Sequence, residues 1–118
     1  MVPLNAYIKK MEQHMEMESA AARCAELGNI TRLSIFRLLV KAGKHGLPVG
    51  EIQNHLGIPG STLTHHVQRL AKVGLINQRR QSRVLHCEPQ MEAVRELVQY
   101  LLSECCSLQT EITAAGHH

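Results

Sequence analysis

Between Glu51 and Glu88 the chain carries no acidic residue, and all ten of its acids lie at or outside those two positions. The 36 residues of that window hold Arg69, Lys72, Arg79, Arg80 and Arg83, a formal charge of +5 against +3 for all 118 residues. Positive charge concentrated this way is the electrostatic footprint of a surface that lies against phosphates. The plain alternative is a solvated face balanced by acids elsewhere. Aromatic residues are nearly missing too, with Phe36, Tyr7, Tyr100 and no tryptophan. The core must then be built from Leu, Ile, Val, Ala and Met, which suits helices better than a β-sandwich. No apolar run approaches the ~20 residues of a membrane span, and the N-terminus lacks an apolar signal core. A soluble, cytoplasmic protein with no membrane partner is expected. A Cys-x-x-Cys motif and a phosphate-cradling loop after a strand are both absent, which argues against a thiol oxidoreductase or an arsenate reductase.

The length suits one domain over residues 1–118, with His117 and His118 set aside as an added tail. From about Tyr7 to Leu27 the composition reads as a helix closed by Gly28, with Met11, Met15, Ala22 and Leu27 as a loose apolar stripe. Asn29 or Thr31 can cap a second helix through roughly Ala42, where Leu33, Phe36, Leu39 and Val40 make the central core element. Gly46-Leu47-Pro48 reads as a turn, and Pro48 opens a short third helix with Val49, Ile52 and Leu56 along one side. Gly57-Ile-Pro-Gly60 is a tight connection. Ser61 or Thr62 then caps a fourth helix to about Val73, its buried stripe being Leu63, Val67 and Leu70. Gly74 is its left-handed terminator.

Leu75 to Arg80 and Arg83 to Glu88 read as two short strands about Gln81-Ser82. Pro89 opens a final helix running past Cys106, with Val94, Leu97, Val98, Leu101 and Leu102 as its apolar face. The fold class is therefore mainly α with a small β-hairpin, in the order α-α-α-α-β-β-α. Two helices joined by a short Gly-containing turn and followed by a strand pair describe a winged helix-turn-helix. In that arrangement the second helix of the pair enters the major groove. Ser61, Thr62, Thr64, His65 and Gln68 avoid the buried stripe and can face base edges, while Arg69 and Lys72 suit phosphates. Arg79, Arg80 and Arg83 at the hairpin tip would lie against the minor groove or adjacent phosphates. Neutralising about three to six phosphates per subunit would make binding weaken steeply with salt.

Leu27-Gly-Asn-Ile-Thr-Arg-Leu-Ser-Ile-Phe-Arg-Leu-Leu, Ser61-Thr-Leu-Thr-His-His-Val-Gln-Arg-Leu and Val73-Gly-Leu-Ile together resemble the ArsR/SmtB family of metal-responsive repressors. The resemblance covers roughly residues 18 to 108. It implies a homodimer that binds double-stranded operator DNA at an inverted repeat and releases it when a toxic metal or metalloid binds. It also implies that the first and last helices form the dimer interface.

The two commonest effector sites of that family are missing here. The start of the third helix reads Pro48-Val-Gly-Glu-Ile without cysteine, and Arg95 to Ser107 contains no His or Asp. Val98-Gln-Tyr-Leu-Leu-Ser-Glu-Cys-Cys instead resembles arsenic-responsive members with a vicinal cysteine pair on the last helix. Soft thiolates select thiophilic centres. Cys105 and Cys106 can share one centre if they sit near a helix end, where rotamers and backbone can adjust. A methylated arsenite needs two sulfurs, whereas inorganic arsenite wants a third. Cys87 is favoured for that third sulfur, although ~14 residues of helix, or ~20 Å, separate it from Cys105 in one chain; Cys24 is the alternative. Either can instead be a small buried hydrophobe. No resident cofactor is expected, only a trivalent arsenical as inducer. The rival reading is a thiol-redox or persulfide-responsive repressor of the same fold, weakened because Asn29 to Ala42 contains no cysteine.

Overall fold

In the computed structural model, residues 15–109 are described. They form helix α1 (Met17–Leu27), α2 (Ile30–Ala42), strand β1 (Leu47–Pro48), α3 (Val49–Leu56), α4 (Gly60–Lys72), β2 (Ile76–Gln81), β3 (Val84–Pro89) and α5 (Met91–Leu102). The strands make one antiparallel sheet in the order β1-β3-β2. The helical order and the hairpin agree with the sequence pattern. The short β1, which reads as a turn in the sequence, is an addition: Leu47 pairs with Cys87 and Pro48 with His86. Among the described residues no helix is long and apolar enough to cross a membrane.

Local chemistry explains most boundaries. The Asn29 side chain accepts a 3.0 Å hydrogen bond from the Arg32 backbone N–H and so caps α2. Gly57 ends α3 in the left-handed region (φ 64°), and Gly74 follows α4 at φ 80°, both conformations that a side chain would disfavour. Gly28, by contrast, closes α1 in right-handed geometry (φ −73°). The first helix begins at Met17 among the described residues, with Met15 and Glu16 before it; Tyr7 and Met11 lie outside them.

The core is narrower than the apolar stripes suggest. On α2 the buried residues are Arg32, Ile35, Phe36 and Leu39, while Leu33 is exposed and Val40 half-buried. On α1 Ala20 is buried and Ala22 is exposed. Leu63, Val67 and Leu70 of α4 are all buried and join Ile35, Phe36, Leu39, Ile52, Leu75, Ile76 and Cys87 in one cluster. A second, smaller cluster packs Leu97 of α5 against Met15 and Ala20, with Leu27 and Tyr100 at its edge. This fastens the last helix to the first.

Three boundary expectations are corrected. Pro59 occupies the N-cap of α4 and the helix starts at Gly60, so Ser61 and Thr62 sit in its first turn and neither hydroxyl caps it. Proline's fixed φ and missing N–H make it a natural lead-in to a helix, which pre-empts the hydroxyl residues behind it. Pro89 closes β3, paired with Ile76, rather than opening the last helix. That helix stops at Leu102, so Cys105 and Cys106 lie in the turn beyond it.

One glycine carries a specific load. Gly46 has φ 65°, and a Cβ placed there would overlap the Cys87 carbonyl on the neighbouring strand. Gly46→Ala is therefore expected to lower stability by at least about 2 kcal/mol, because the strained φ and the backbone clash act together. Urea unfolding checks it; an unchanged midpoint would show that β1 does not hold this close approach.

Candidate nucleic-acid interface and thiol pair

Helices α3 and α4 are linked by Gly57, Ile58 and Pro59 alone, so their relative orientation is set by one short turn. With Leu63, Val67 and Leu70 anchored in the core, α4 presents its opposite face outward. Ser61, Thr62, Thr64, His65, Gln68, Arg69 and Lys72 are all exposed there, as the spacing predicts. The Thr64 hydroxyl donates to the Gly60 carbonyl of its own helix (3.0 Å), leaving its methyl and oxygen lone pairs outward. At the other end of the surface, Ser82 and Arg83 form the two-residue tip of the β2–β3 hairpin, with Ser82 at φ 59°. The tip lies one residue later than Gln81-Ser82, and Arg79 and Arg80 sit within β2, on opposite faces by strand alternation.

The electrostatics divide the five cations of the acid-free window. Arg69 makes a two-point contact with Glu26 of α1, at 2.8 and 3.2 Å. That hydrogen bond holds the Glu26 carboxyl below its usual range and raises Arg69 in turn. Arg79 donates to Glu88 (3.0 Å) and to Gln81 (2.7 Å), and its bond to Glu88, seconded by Asn77, keeps that carboxyl low. Lys72, Arg80 and Arg83 are exposed and have no ion pair among the described residues. The expectation of acids elsewhere balancing the basic face thus holds for two cations, and the remaining three face solvent.

Behind the recognition helix lies a polar network that single-residue reading of the sequence does not disclose. Buried Arg32 donates to the Glu26 carbonyl (2.8 Å), lies 3.1 Å from the Glu26 carboxylate, and donates to Nδ1 of His66 (3.2 Å). Arginine cannot accept, so Nδ1 of His66 must be the acceptor and its ring neutral. Burial, and then the charges of Arg32, His65 and Arg69, push the His66 pKa down in agreement. Arg23 of α1 donates to the Val73 carbonyl at the end of α4 (3.1 Å) and to the Ala93 carbonyl in α5 (2.9 Å), beside Glu96 (3.3 Å). Glu26 and Arg69 are 43 residues apart and Arg23 and Ala93 are 70 apart, so no local spacing could have flagged them.

The four cysteines separate clearly. Cys105 and Cys106 are exposed, with their Sγ atoms 3.3 Å apart. Glu104 and Cys106 adopt positive φ (59° and 67°) in the turn beyond α5. Cys24 is exposed on α1. Cys87 is fully buried in the core, and burial pushes its thiol up to about 11. Within the single chain, no group of three His, Cys, Asp or Glu able to hold a metal ion occurs among the described residues. Because the thiolate is the attacking form, iodoacetamide is expected to label Cys24, Cys105 and Cys106 in the native protein and Cys87 only after denaturation. Peptide mapping checks this; prompt labelling of Cys87 would contradict its place in the core.

Residues 27–79 match the family profile of a helix-turn-helix domain (HTH_20). The nodulation protein NolR of Rhizobium meliloti is 28% identical over 87 residues, 74% of this chain and 69% of that protein. The crystal structure of NolR from Sinorhizobium fredii superposes with a TM-score of 0.60 at 28% identity, covering 80% of this chain and 91% of that one. The homodimeric winged helix-turn-helix domain of a possible ArsR-family transcriptional regulator from Mycobacterium bovis shares the fold at a TM-score of 0.61 and 22% identity, covering 80% and 85%. The proteins it resembles are transcriptional regulators rather than enzymes. With its two-helix reader and its wing, the chain has the winged helix-turn-helix fold, and over residues 27–79 it is similar to a family of helix-turn-helix domains.

Proposed function

We propose that the protein is a homodimeric repressor that grips operator DNA with α4 and the β2–β3 wing, and lets go when a trivalent arsenical binds Cys105 and Cys106. The exposed polar face of α4, together with Lys72, Arg80 and Arg83, supports DNA as the partner. Val98, Leu101 and Leu102 are 48%, 61% and 65% exposed on α5, an apolar face that a second copy would cover. The protein would act in the cytoplasm, where thiols stay reduced.

The observation that carries the arsenical reading is the 3.3 Å separation of the two sulfurs. Two thiolates bound at ~2.3 Å lie ~3.8 Å apart around a tetrahedral centre and ~3.3 Å apart when their angle closes to about 90°. The narrower angle belongs to a pyramidal trivalent centre such as arsenic. A centre already bearing a carbon substituent needs only this pair. For a third sulfur, burial counts against Cys87, since engaging it would open the core, and exposure supports Cys24. Arsenic needs no resident cofactor in this scheme; it is the inducer.

The test is a gel-shift on a promoter-type duplex with phenylarsine oxide, methylarsenite, arsenite, zinc and hydrogen peroxide. Release by the arsenicals alone is the expected result. Release by peroxide alone would instead establish the thiol-redox repressor, and failure to bind any duplex would end the repressor reading.

A further inference from the structure

Arg23 touches three elements with one guanidinium. Its Nε donates to the Val73 carbonyl, which caps the C-terminal end of the recognition helix, and its Nη1 donates to the Ala93 carbonyl in the first turn of α5 while pairing with Glu96. The side chain is only 16% exposed, and Ala93 beneath it is buried. The small cluster of Ala20, Met15 and Leu97 also fastens α1 to α5, and Ala93 of α5 is buried in the main core with Leu63, Val67 and Leu70 of α4, so Arg23 adds a polar link to an apolar contact between these helices. Nearby, Glu26 of α1 binds Arg69 and Arg32 of α2 binds His66, so the recognition helix is tied to α1 toward its C-terminal end and to α2 at its middle. A cleft of about 460 Å³, lined by Ser19, Ala22, Glu26, Lys72 and Val73, opens beside Arg23 and leaves its side chain room to move without displacing packed neighbours.

From this arrangement we infer that Arg23 is the positioning residue that couples α5 to the recognition helix, so that a shift of α5 is felt at Val73 and a load on α4 is felt at Ala93. The inference rests on the proposed regulator for its biological meaning, because the thiol pair sits just beyond the end of α5. A bidentate donor is needed for the task. Its rigid planar fork presents Nε and Nη1 to two carbonyls in fixed directions, one on each element, a spacing that the freely rotating donors of a lysine ammonium do not hold. Coupling of this kind runs both ways: whatever DNA does to α5, a ligand that displaces α5 must do to DNA binding.

The experiment compares wild type with Arg23→Gln and Arg23→Lys as full chains, using hydrogen exchange with and without a mixed-sequence duplex of about 30 base pairs at low salt. In wild type, duplex is expected to slow exchange in α4 and also, about fivefold or more, in residues 90–97 at the start of α5. Both variants should protect α4 while leaving residues 90–97 within about twofold of their free rate. Arg23→Lys keeps a cation beside Glu96 and the end of α4, so it should melt near the wild-type temperature yet remain uncoupled. If α5 protection survives in both variants, or is absent from wild type, the inference is overturned. If protection instead tracks melting temperature across the variants, Arg23 is merely structural and the inference is overturned as well. A parallel arm with phenylarsine oxide keeps the two readings apart: coupling present in wild type without release of duplex removes the arsenical sensor and leaves the role of Arg23 standing.

Discussion

Leu101→Asp/Leu102→Asp is expected to yield a monomer that binds duplex DNA at least about 10²-fold more weakly than wild type. Both side chains are more than half exposed in the single chain, at 61% and 65%, so the substitutions remove no core contact and should leave the protomer folded. Their place is the exposed, outer end of the apolar face of α5, one turn beyond Leu97, which is already committed to α1. In the proposed dimer that outer end meets its twin, and fully burying a leucine contributes on the order of 2 kcal/mol. Introducing carboxylates there removes the gain and adds charges that cannot be desolvated. The loss in DNA affinity arises because each recognition helix then binds its half-site alone, without the effective concentration supplied by its partner. Light scattering and fluorescence anisotropy measure the two effects separately. A variant that stays dimeric would place the interface elsewhere on the molecule.

The second large effect concerns inducibility. In wild type, saturating phenylarsine oxide is expected to weaken DNA binding about tenfold or more, within the ordinary range of coupling between two sites. Cys105→Ser/Cys106→Ser should bind DNA within about threefold of wild type and show no response, because both positions are exposed and surface substitutions cost little stability. Raising the pH should lower the arsenical concentration needed, since capture displaces protons from the thiols. Should the double-serine variant still respond, Cys24 or another group must hold the inducer. Should it lose DNA binding, the pair serves the architecture of the turn beyond α5.

The arrangement also explains why a basic sequence window overstates the charge offered to DNA. Arg69 and Arg79 each spend their guanidinium on a carboxylate from outside the window, Glu26 and Glu88. Among the described residues, the cations of the window without an ion pair are Lys72 at the end of α4 and Arg80 and Arg83 near the wing tip. Arg69 acts chiefly to seat the recognition helix against α1. Its Nε and Nη2 are taken by Glu26, whose carboxyl also lies beside buried Arg32, which leaves Nη1 as the edge that a phosphate could meet.

Local chemistry alone determined the reader: the stripe of Leu63, Val67 and Leu70 at helical spacing, the left-handed glycines at 57 and 74, and the polar face of α4 all follow from backbone sterics and burial periodicity within a few residues. The two-strand wing was legible for the same reason, to within one residue at its turn. Three matters belonged to the tertiary structure. The end of α5 at Leu102, the burial of Cys87 behind β1 and α2, and the tethers from Arg23, Glu26 and Arg32 to α4 join residues that are distant along the chain or depend on which face a neighbouring element covers. Such pairings are chosen by packing geometry and the requirement that buried polar groups find partners, and neither leaves a mark in short-range spacing.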